Sequence, residues 1–277
     1  MSVPRPPRVL SIQSEVAAGH VGNGAARFAL QRLGVDVLAL PTVLFSNHPG
    51  HGGFAGRAIP AQDLKDMLDG LAAGGFLDGV DAVLSGYLGA PEQAEIVREA
   101  VRAVKRRNPG ALYLLDPVFG DEGGAYARPG VAEAMARHLL PLADIVAPNR
   151  FELASLASRR IESAADAVAA ARSLGRPLVL ATSVPCAGGE IGTAAVTAAG
   201  AFLACAPRAP HAPSGTGDLL AALFLGWRLK GEPVEAALGR ASGAVAALIA
   251  LSGSSKDLAL VAGQARLTDA RLETAAI

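Results

Sequence analysis

Gly215-Thr216-Gly217-Asp218 runs directly into the apolar stretch 219–225. Two glycines let the backbone bend until successive N–H groups converge, and the helix that starts there adds its positive end, so the segment can hold an anion. An Asp at that point can take a proton from a substrate hydroxyl while charge develops on a phosphoryl group held by the same N–H groups. The tetrapeptide also reads as an ordinary glycine-rich helix start with Asp as a capping residue.

Two further carboxylates follow apolar runs. Asp116-Pro117-Val118 ends the run 112–115, and Pro148-Asn149-Arg150-Phe151-Glu152 follows 144–147, with Glu152 in the first turn of an expected helix. Carboxylates at adjacent strand ends can hold Mg2+ directly or through water, as phosphoryl transfer needs. The plainer account is that Asp116 precedes a turn-forming proline and Glu152 is an acid favoured by the helix dipole. Near the N-terminus, Ser11-Ile12-Gln13-Ser14 leaves the first expected strand and Gly19-His20-Val21-Gly22-Asn23 runs into a helix. Phe45-Ser46-Asn47-His48 and Gly50-His51-Gly52-Gly53 follow the second strand. A hydroxyl, an Asn and a His at strand ends suit the polar edge of a small heterocycle, with Val21 and Phe45 covering its face. His20 equally suits a satisfied core position, and His48 a loop.

These residues need a frame that brings strand ends together. Short β-branched or Leu-rich runs alternate with helical patterns, the sign of βαβ units around a mostly parallel sheet. Strands are expected over 8–14, 35–41, 81–85, 111–116, 144–147 and 177–181, and helices over 24–33, 61–73, 91–107, 129–138 and 163–174. Residues 193–197 and 201–205 read as an antiparallel hairpin. From Thr216 the chain turns helical and nothing later looks like a strand. No repeat, linker or composition break divides the 277 residues, so one three-layer α/β/α domain over 1–277 is expected, with 1–7 a frayed tail. In such sheets ligands bind outside the carboxyl ends of the strands.

Composition narrows the partners. The 21 Arg and four Lys balance 25 acids, giving zero formal net charge, and form no basic run, so no nucleic-acid partner is implied. The longest apolar run, 244–251, is far short of the roughly 20 residues a membrane span needs, and the N-terminus lacks a signal-peptide pattern. A soluble, cytoplasmic protein is expected. Cys186 and Cys205 are too few for a disulfide framework and sit in no metal-binding spacing; Cys186, between Pro185 and Ala187, reads as an incidental loop thiol in a reducing compartment.

In order along nearly the whole chain, LSIQS (10–14), GHVGN (19–23), FSNH (45–48), AVLSGYLG (82–89), DPVFGD (116–121), ADIVAPNRFEL (143–153) and GTGD (215–218) resemble the pyridoxal kinases of the ribokinase superfamily. GTGD occurs throughout that superfamily; IQS with GHxGN and FSNH is more particular to this branch. The resemblance implies a ribokinase-like fold and ATP-dependent phosphorylation of the hydroxymethyl group of pyridoxal, with ATP and Mg2+, room for a monovalent cation such as K+, and a homodimer. It implies Asp218 as base, with Gly215, Thr216 and Gly217 as the anion hole. Asp116, Asn149 and Glu152 would serve ATP and Mg2+, Asp116 and Glu152 on the metal, with Asp121, Tyr126 and Ala147 on the nucleotide side. Thr182 and Ser183 fall where the family places ATP contacts. Ser14 would meet the ring's polar edge, with Val21, Phe45, His48, Pro49, Gly50 and Tyr87 around it.

Departures from the family cluster at the substrate end. Glu15 stands where His is usual, Ala18 where Tyr or Arg is common, Pro49 where Thr follows SNH, His51 for Tyr and Phe54 for Trp. Pro49 removes a hydroxyl and a backbone N–H. The stretch 184–213 is also shorter than usual, which suggests looser nucleotide binding. Two other readings stand beside the first. One is a hydroxymethylpyrimidine kinase, against which FSNH and IQS count; the other is a protein that binds a B6 vitamer without useful turnover. A dinucleotide enzyme fails because no G-x-G-x-x-G follows the first strand.

Overall fold

The computed structural model describes residues 5–277; the first four, part of the Pro-rich segment expected to fray, lie outside the described residues. Arg5 reaches the Asp81 carboxylate at 3.1 Å. The strands are β1 (Arg8–Ala18), β2 (Asp36–Asn47), β3 (Gly56–Ala58), β4 (Ala82–Ser85), β5 (Leu112–Leu115), β6 (Gly120–Asp121), β7 (Gly124–Ala125), β8 (Ile145–Val146), β9 (Leu178–Pro185), β10 (Ile191–Thr197), β11 (Ala201–Ala206) and β12 (Ala275–Ala276). The helices are α1 (Asn23–Arg32), α2 (Ala61–Ala73), α3 (Gln93–Arg107), α4 (Val131–Ala134), α5 (Arg150–Ala157), α6 (Ala164–Ser173), α7 (Thr216–Leu229), α8 (Val234–Ser252) and α9 (Arg266–Asp269).

Ten strands form one sheet in the order β12-β11-β10-β9-β8-β5-β4-β1-β2-β3. From β9 to β2 the neighbours are parallel, while β3, β10, β11 and β12 pair antiparallel with theirs. Because side chains alternate along a strand, each strand supplies both faces. Val9, Leu84, Leu114, Leu180 and Ala195 pack under α1, α7 and α8. Leu10, Ile12, Val83, Tyr113 and Leu115 pack on the other side with α2 and α3, and Val179, Ala181, Ala194 and Val196 with α5 and α6. The result is the three-layer α/β/α sandwich expected from the βαβ alternation. Truncating a fully buried core side chain such as Leu84 or Leu114 to Ala would cost about 2–5 kcal/mol.

Several expectations are corrected. β1 and β2 run on to Ala18 and Asn47 instead of stopping near 14 and 41, because they pair with each other through a register shift between Gln13 and Glu15. β3 then adds to the outer edge of β2; so short a strand, rich in small residues, leaves no periodic signal. The helix expected over 129–138 is α-helical only through α4 and widens into a π turn over Met135–Leu139. After Thr216 the chain does return to the sheet: Ala275 and Ala276 pair with Leu203 and Phe202. α8 is long and apolar enough by composition to cross a membrane, yet its Ala237, Leu238, Ala241, Ala244 and Leu248 are buried in the core against α7, so here it serves as a core helix.

The cysteine reading is also overturned, since Cys186 and Cys205 form a disulfide. They are 19 positions apart in sequence, and the β9-β10-β11 meander brings them together, with Cys205 opposite Gly192 in the ladder. A Cβ at Gly192 would lie 2.6 Å from the Cys186 sulfur, so the bridge passes over the middle strand where that strand has no side chain.

Candidate active site

In an open α/β sheet the binding crevice lies where the strand order reverses, and here that is beyond the carboxyl ends of β1 and β4. A pocket of about 610 Å³ opens there and extends across the ends of β5, β8 and β9. Its lining brings together every site residue carried over by motif: Ser14, Val21, Phe45, His48, Pro49, Gly50 and Tyr87 at one end, and Asp116, Asp121, Tyr126, Ala147, Asn149, Glu152, Thr182 and Ser183 at the other. The Gly215–Asp218 segment also lines it. Sequence reasoning missed Val16, Val118, Ala212, Pro213 and Ser214. Val16 lies two residues after Ser14 on the same strand face, a period-two signal that an extended first strand would have shown. Ser214 merely precedes a motif and carries no signal of its own.

Gly215 takes φ 90° and α7 begins at Thr216. A side chain at 215 would collide with the His20 carbonyl, which explains the glycine. The first helical bond is Leu219 N–H to Gly215 O. Among the described residues, the N–H groups of Gly215, Thr216, Gly217 and Asp218 find no acceptor. Four free donors at the positive end of a helix line the pocket, an arrangement able to accept an anion.

Asp218 stands in that first turn, and its Oδ2 accepts the Gly22 N–H at 2.8 Å. Burial raises its proton affinity and the Gly22 bond lowers it. Gly22 adopts φ 51° and ψ −127°, and a side chain there would collide with Ser14. The GHVGN segment is anchored in turn by Asn23, nearly fully buried, which accepts from Ser11 Oγ at 2.8 Å and donates to the Gln13 and Leu40 carbonyls at 3.2 and 3.1 Å. The half-buried His20 supplies its carbonyl to the wall behind Gly215 and does not line the pocket.

Glu152 and Asn149 form a reciprocal helix cap at the start of α5. Asn149 N–H donates to Glu152 Oε2 at 2.9 Å, while the N–H groups of Phe119 and Gly120 approach Oε1 at 3.1 and 3.5 Å. Burial nonetheless pushes the Glu152 carboxyl up to about 8, those N–H groups opposing. Asp116, 5% exposed, is raised well above the usual carboxylate range by burial and by the charges of Glu152 and Asp218. No N–H donates to its side chain among the described residues. Ser183 holds φ 58°, uncommon for a residue with a side chain, at the rim of the pocket.

At the ring end, His48 Nδ1 accepts the Gly50 N–H at 3.1 Å and lies 3.2 Å from Ser214 Oγ. Burial and the neighbouring His51 lower its proton affinity, Asp257 opposing, which favours the neutral ring. Of the positions that depart from the family, only Pro49 lines the pocket. Glu15 pairs with Arg27 of α1 at 3.6 Å, and Phe54 packs on Phe45 with the rings tilted 46° and their centroids 4.5 Å apart.

Comparison with known proteins agrees with this geometry. A family model described as phosphomethylpyrimidine kinase matches residues 38–262. Pyridoxal kinase PdxY of Rubrobacter xylanophilus is 44% identical over 269 residues, covering 94% of this chain and 93% of that protein. Its counterpart in Burkholderia lata is 43% identical over 266 residues, covering 92% and 93%. The structure of pyridoxal kinase from Leishmania donovani in complex with ADP and pyridoxamine superposes with a TM-score of 0.91 at 28% identity, covering 98% of this chain and 99% of its own. Identity of this degree, running through nearly the full length of both chains, shows that the chain belongs to the pyridoxal kinase family.

Proposed function

We propose that this kinase transfers the terminal phosphoryl group of ATP to the 5'-hydroxymethyl oxygen of pyridoxal, giving pyridoxal 5'-phosphate and ADP. The observation that carries the reading is Asp218 set directly beside four backbone N–H groups with no other partner. Gly22 occupies Oδ2 of that carboxylate, which leaves Oδ1 free to take the hydroxyl proton as the oxygen attacks phosphorus. The free N–H groups stabilise charge on the phosphoryl oxygens at the same moment. Ser14 and His48 offer hydrogen bonds to a pyridine ring while Val21, Phe45 and Tyr87 enclose it.

The charge of the pocket bears on what accompanies the nucleotide. Its lining holds four carboxylates, Asp116, Asp121, Glu152 and Asp218, with one imidazole and no Lys or Arg. A polyphosphate entering such a site alone meets like charge, and a divalent cation removes the conflict. Asp116, buried and without a donor, is free to face a cation; Glu152, its oxygens engaged by backbone N–H groups, fits a role through water. Asp116, with Glu152 through water, would hold Mg2+ there, and the ion would supply neutralisation of phosphate charge. Asn149, Thr182 and Ser183 lie on the same side and are assigned to the nucleotide. The proposal includes one catalytic domain, action in the cytoplasm, where ATP is at hand, and a homodimer.

The test is ADP release from Mg2+-ATP with pyridoxal, pyridoxine, pyridoxamine and hydroxymethylpyrimidine as separate acceptors, in K+ and in Na+ buffers, with Asp218→Asn as the blank. Turnover with pyridoxal that vanishes in Asp218→Asn, with vitamer binding kept within about tenfold, is the expected result. The matched family model's description motivates the pyrimidine arm; preference for that acceptor overturns the vitamer assignment, and vitamer binding without ADP release overturns the kinase reading.

A further inference from the structure

The segment that carries His48, Pro49 and Gly50 into the pocket includes one short turn, Pro49–His51, followed by Gly52 at φ 101° and by Gly53. None of the turn's residues is buried. An exposed turn backed by two glycines has no core of its own to fix it. Asn47 Nδ2 brackets it locally, donating to the His48 and Gly53 carbonyls at 3.1 and 2.7 Å, and a segment about 200 residues away in sequence ties it to the rest of the molecule. His51 Nε2 lies 3.3 Å from Asp257 Oδ1, and Lys256 Nζ donates to the Gly50 carbonyl at 3.0 Å. The same segment is tied to the residue before the anion hole, since Ser214 N–H donates to Lys256 O at 3.0 Å and Ser214 bridges Asp257 in parallel. Gly19, at φ 101°, completes the arrangement: a Cβ there would come within 2.9 Å of Asp257 Oδ1, so the carboxylate reaches His51 across a position that has no side chain.

We infer that Asp257 is a positioning residue for the vitamer: acting through His51, and with Lys256, it pins the 48–50 turn as a wall of the substrate pocket in register with the Gly215–Asp218 loop. The inference rests on the kinase reading above. Neither Asp257 nor His51 lines the pocket, so the pair acts by ordering the turn and not by touching substrate. With the pin removed, substrate must order the turn itself, and that cost falls on its binding while the anion hole and base stay as they are.

Steady-state kinetics and hydrogen exchange test this on the full chain. Asp257→Ala should raise KM for pyridoxal about tenfold, while kcat and KM for ATP stay within about twofold. His51→Ala should do the same, and the double variant no more than either single, because both remove one contact. Without any substrate, exchange across 48–53 should quicken in Asp257→Ala. An unchanged KM for pyridoxal, unchanged exchange across 48–53, or single effects that multiply in the double variant overturns the inference. Asp257 is 42% exposed at its side chain, so its truncation leaves the core intact. If the wild-type protein does not phosphorylate pyridoxal, the kinase reading fails, and the exchange measurement still decides whether the pin exists.

Discussion

Replacing Gly22 with Ala asks whether the backbone of one loop sets the proton affinity of Asp218, the proposed base, on another. The Gly22 N–H reaches Asp218 Oδ2 at 2.8 Å, and the φ 51°, ψ −127° that aims it there is closed to residues with a side chain. An added Cβ would also strike Ser14, so the loop must shift and the bond is lost. A hydrogen bond to a charged group contributes about 1.5–3 kcal/mol, and at about 1.4 kcal/mol per tenfold that is roughly a 10- to 150-fold effect on the carboxylate form. The bond opposes the burial that raises Asp218; without it, the proton is held more tightly. The acid limb of kcat/KM for pyridoxal should therefore move to higher pH by between about one and two pH units. The assay is ADP release against pH for wild type and Gly22→Ala, with the deficit largest on the acid side and recovering as pH rises. A variant profile lowered by the same factor at every pH, its acid limb unmoved, would refute the reasoning and leave only steric damage at Ser14.

Three further outcomes follow from the same structure. Glu152 is pushed up to about 8 from an ordinary 4.5, so the folded protein binds more protons than the unfolded chain throughout that window. In the absence of metal its stability should fall as pH rises from about 4.5 to 8, with Asp116 and Asp218, also raised, adding to the slope. Mg2+ should restore the loss by favouring the carboxylates; melting curves at several pH values with and without Mg2+ that show neither slope nor rescue would contradict the cation assignment. Pro49→Thr restores a hydroxyl at a pocket-lining position and should lower KM for pyridoxal by up to about tenfold; an unchanged KM means water or backbone already makes that contact. Reducing Cys186–Cys205, or making Cys205→Ser, should cost about 3 kcal/mol for a loop of this length and lower Tm by about 6 °C. Two titratable thiols in the native protein would contradict the crosslink.

Much of the architecture was legible because parallel strands buried on both faces must be short, apolar and separated by helices. The runs 81–85, 111–116 and 177–181 match β4, β5 and the first half of β9 on that ground alone. The candidate site was legible for a different reason: the phosphoryl transfer proposed for it needs bent glycine backbone, a helix start and acids, and GTGD, Asp116 and Glu152, which the fold brings to one pocket, are local enough to be seen in a line of text. What could not be read depends on partners distant in sequence. β1 and β2 extend because each pairs with the other, and β12, two alanines long, exists only because β11 offers it an edge. Periodicity cannot register a strand whose sole requirement is a neighbour.

The same division runs through the chemistry. Residue types alone determined that this chain could hold a phosphate beside a base and place carboxylates at strand ends. Tertiary structure alone decided that Gly22, 196 positions away, holds Asp218, that Asp257 and His51 meet across the bare Cα of Gly19, and that Cys186 reaches Cys205 over Gly192. In each case a glycine makes the contact possible by what it lacks. A missing side chain has meaning only once the fold has put something against it.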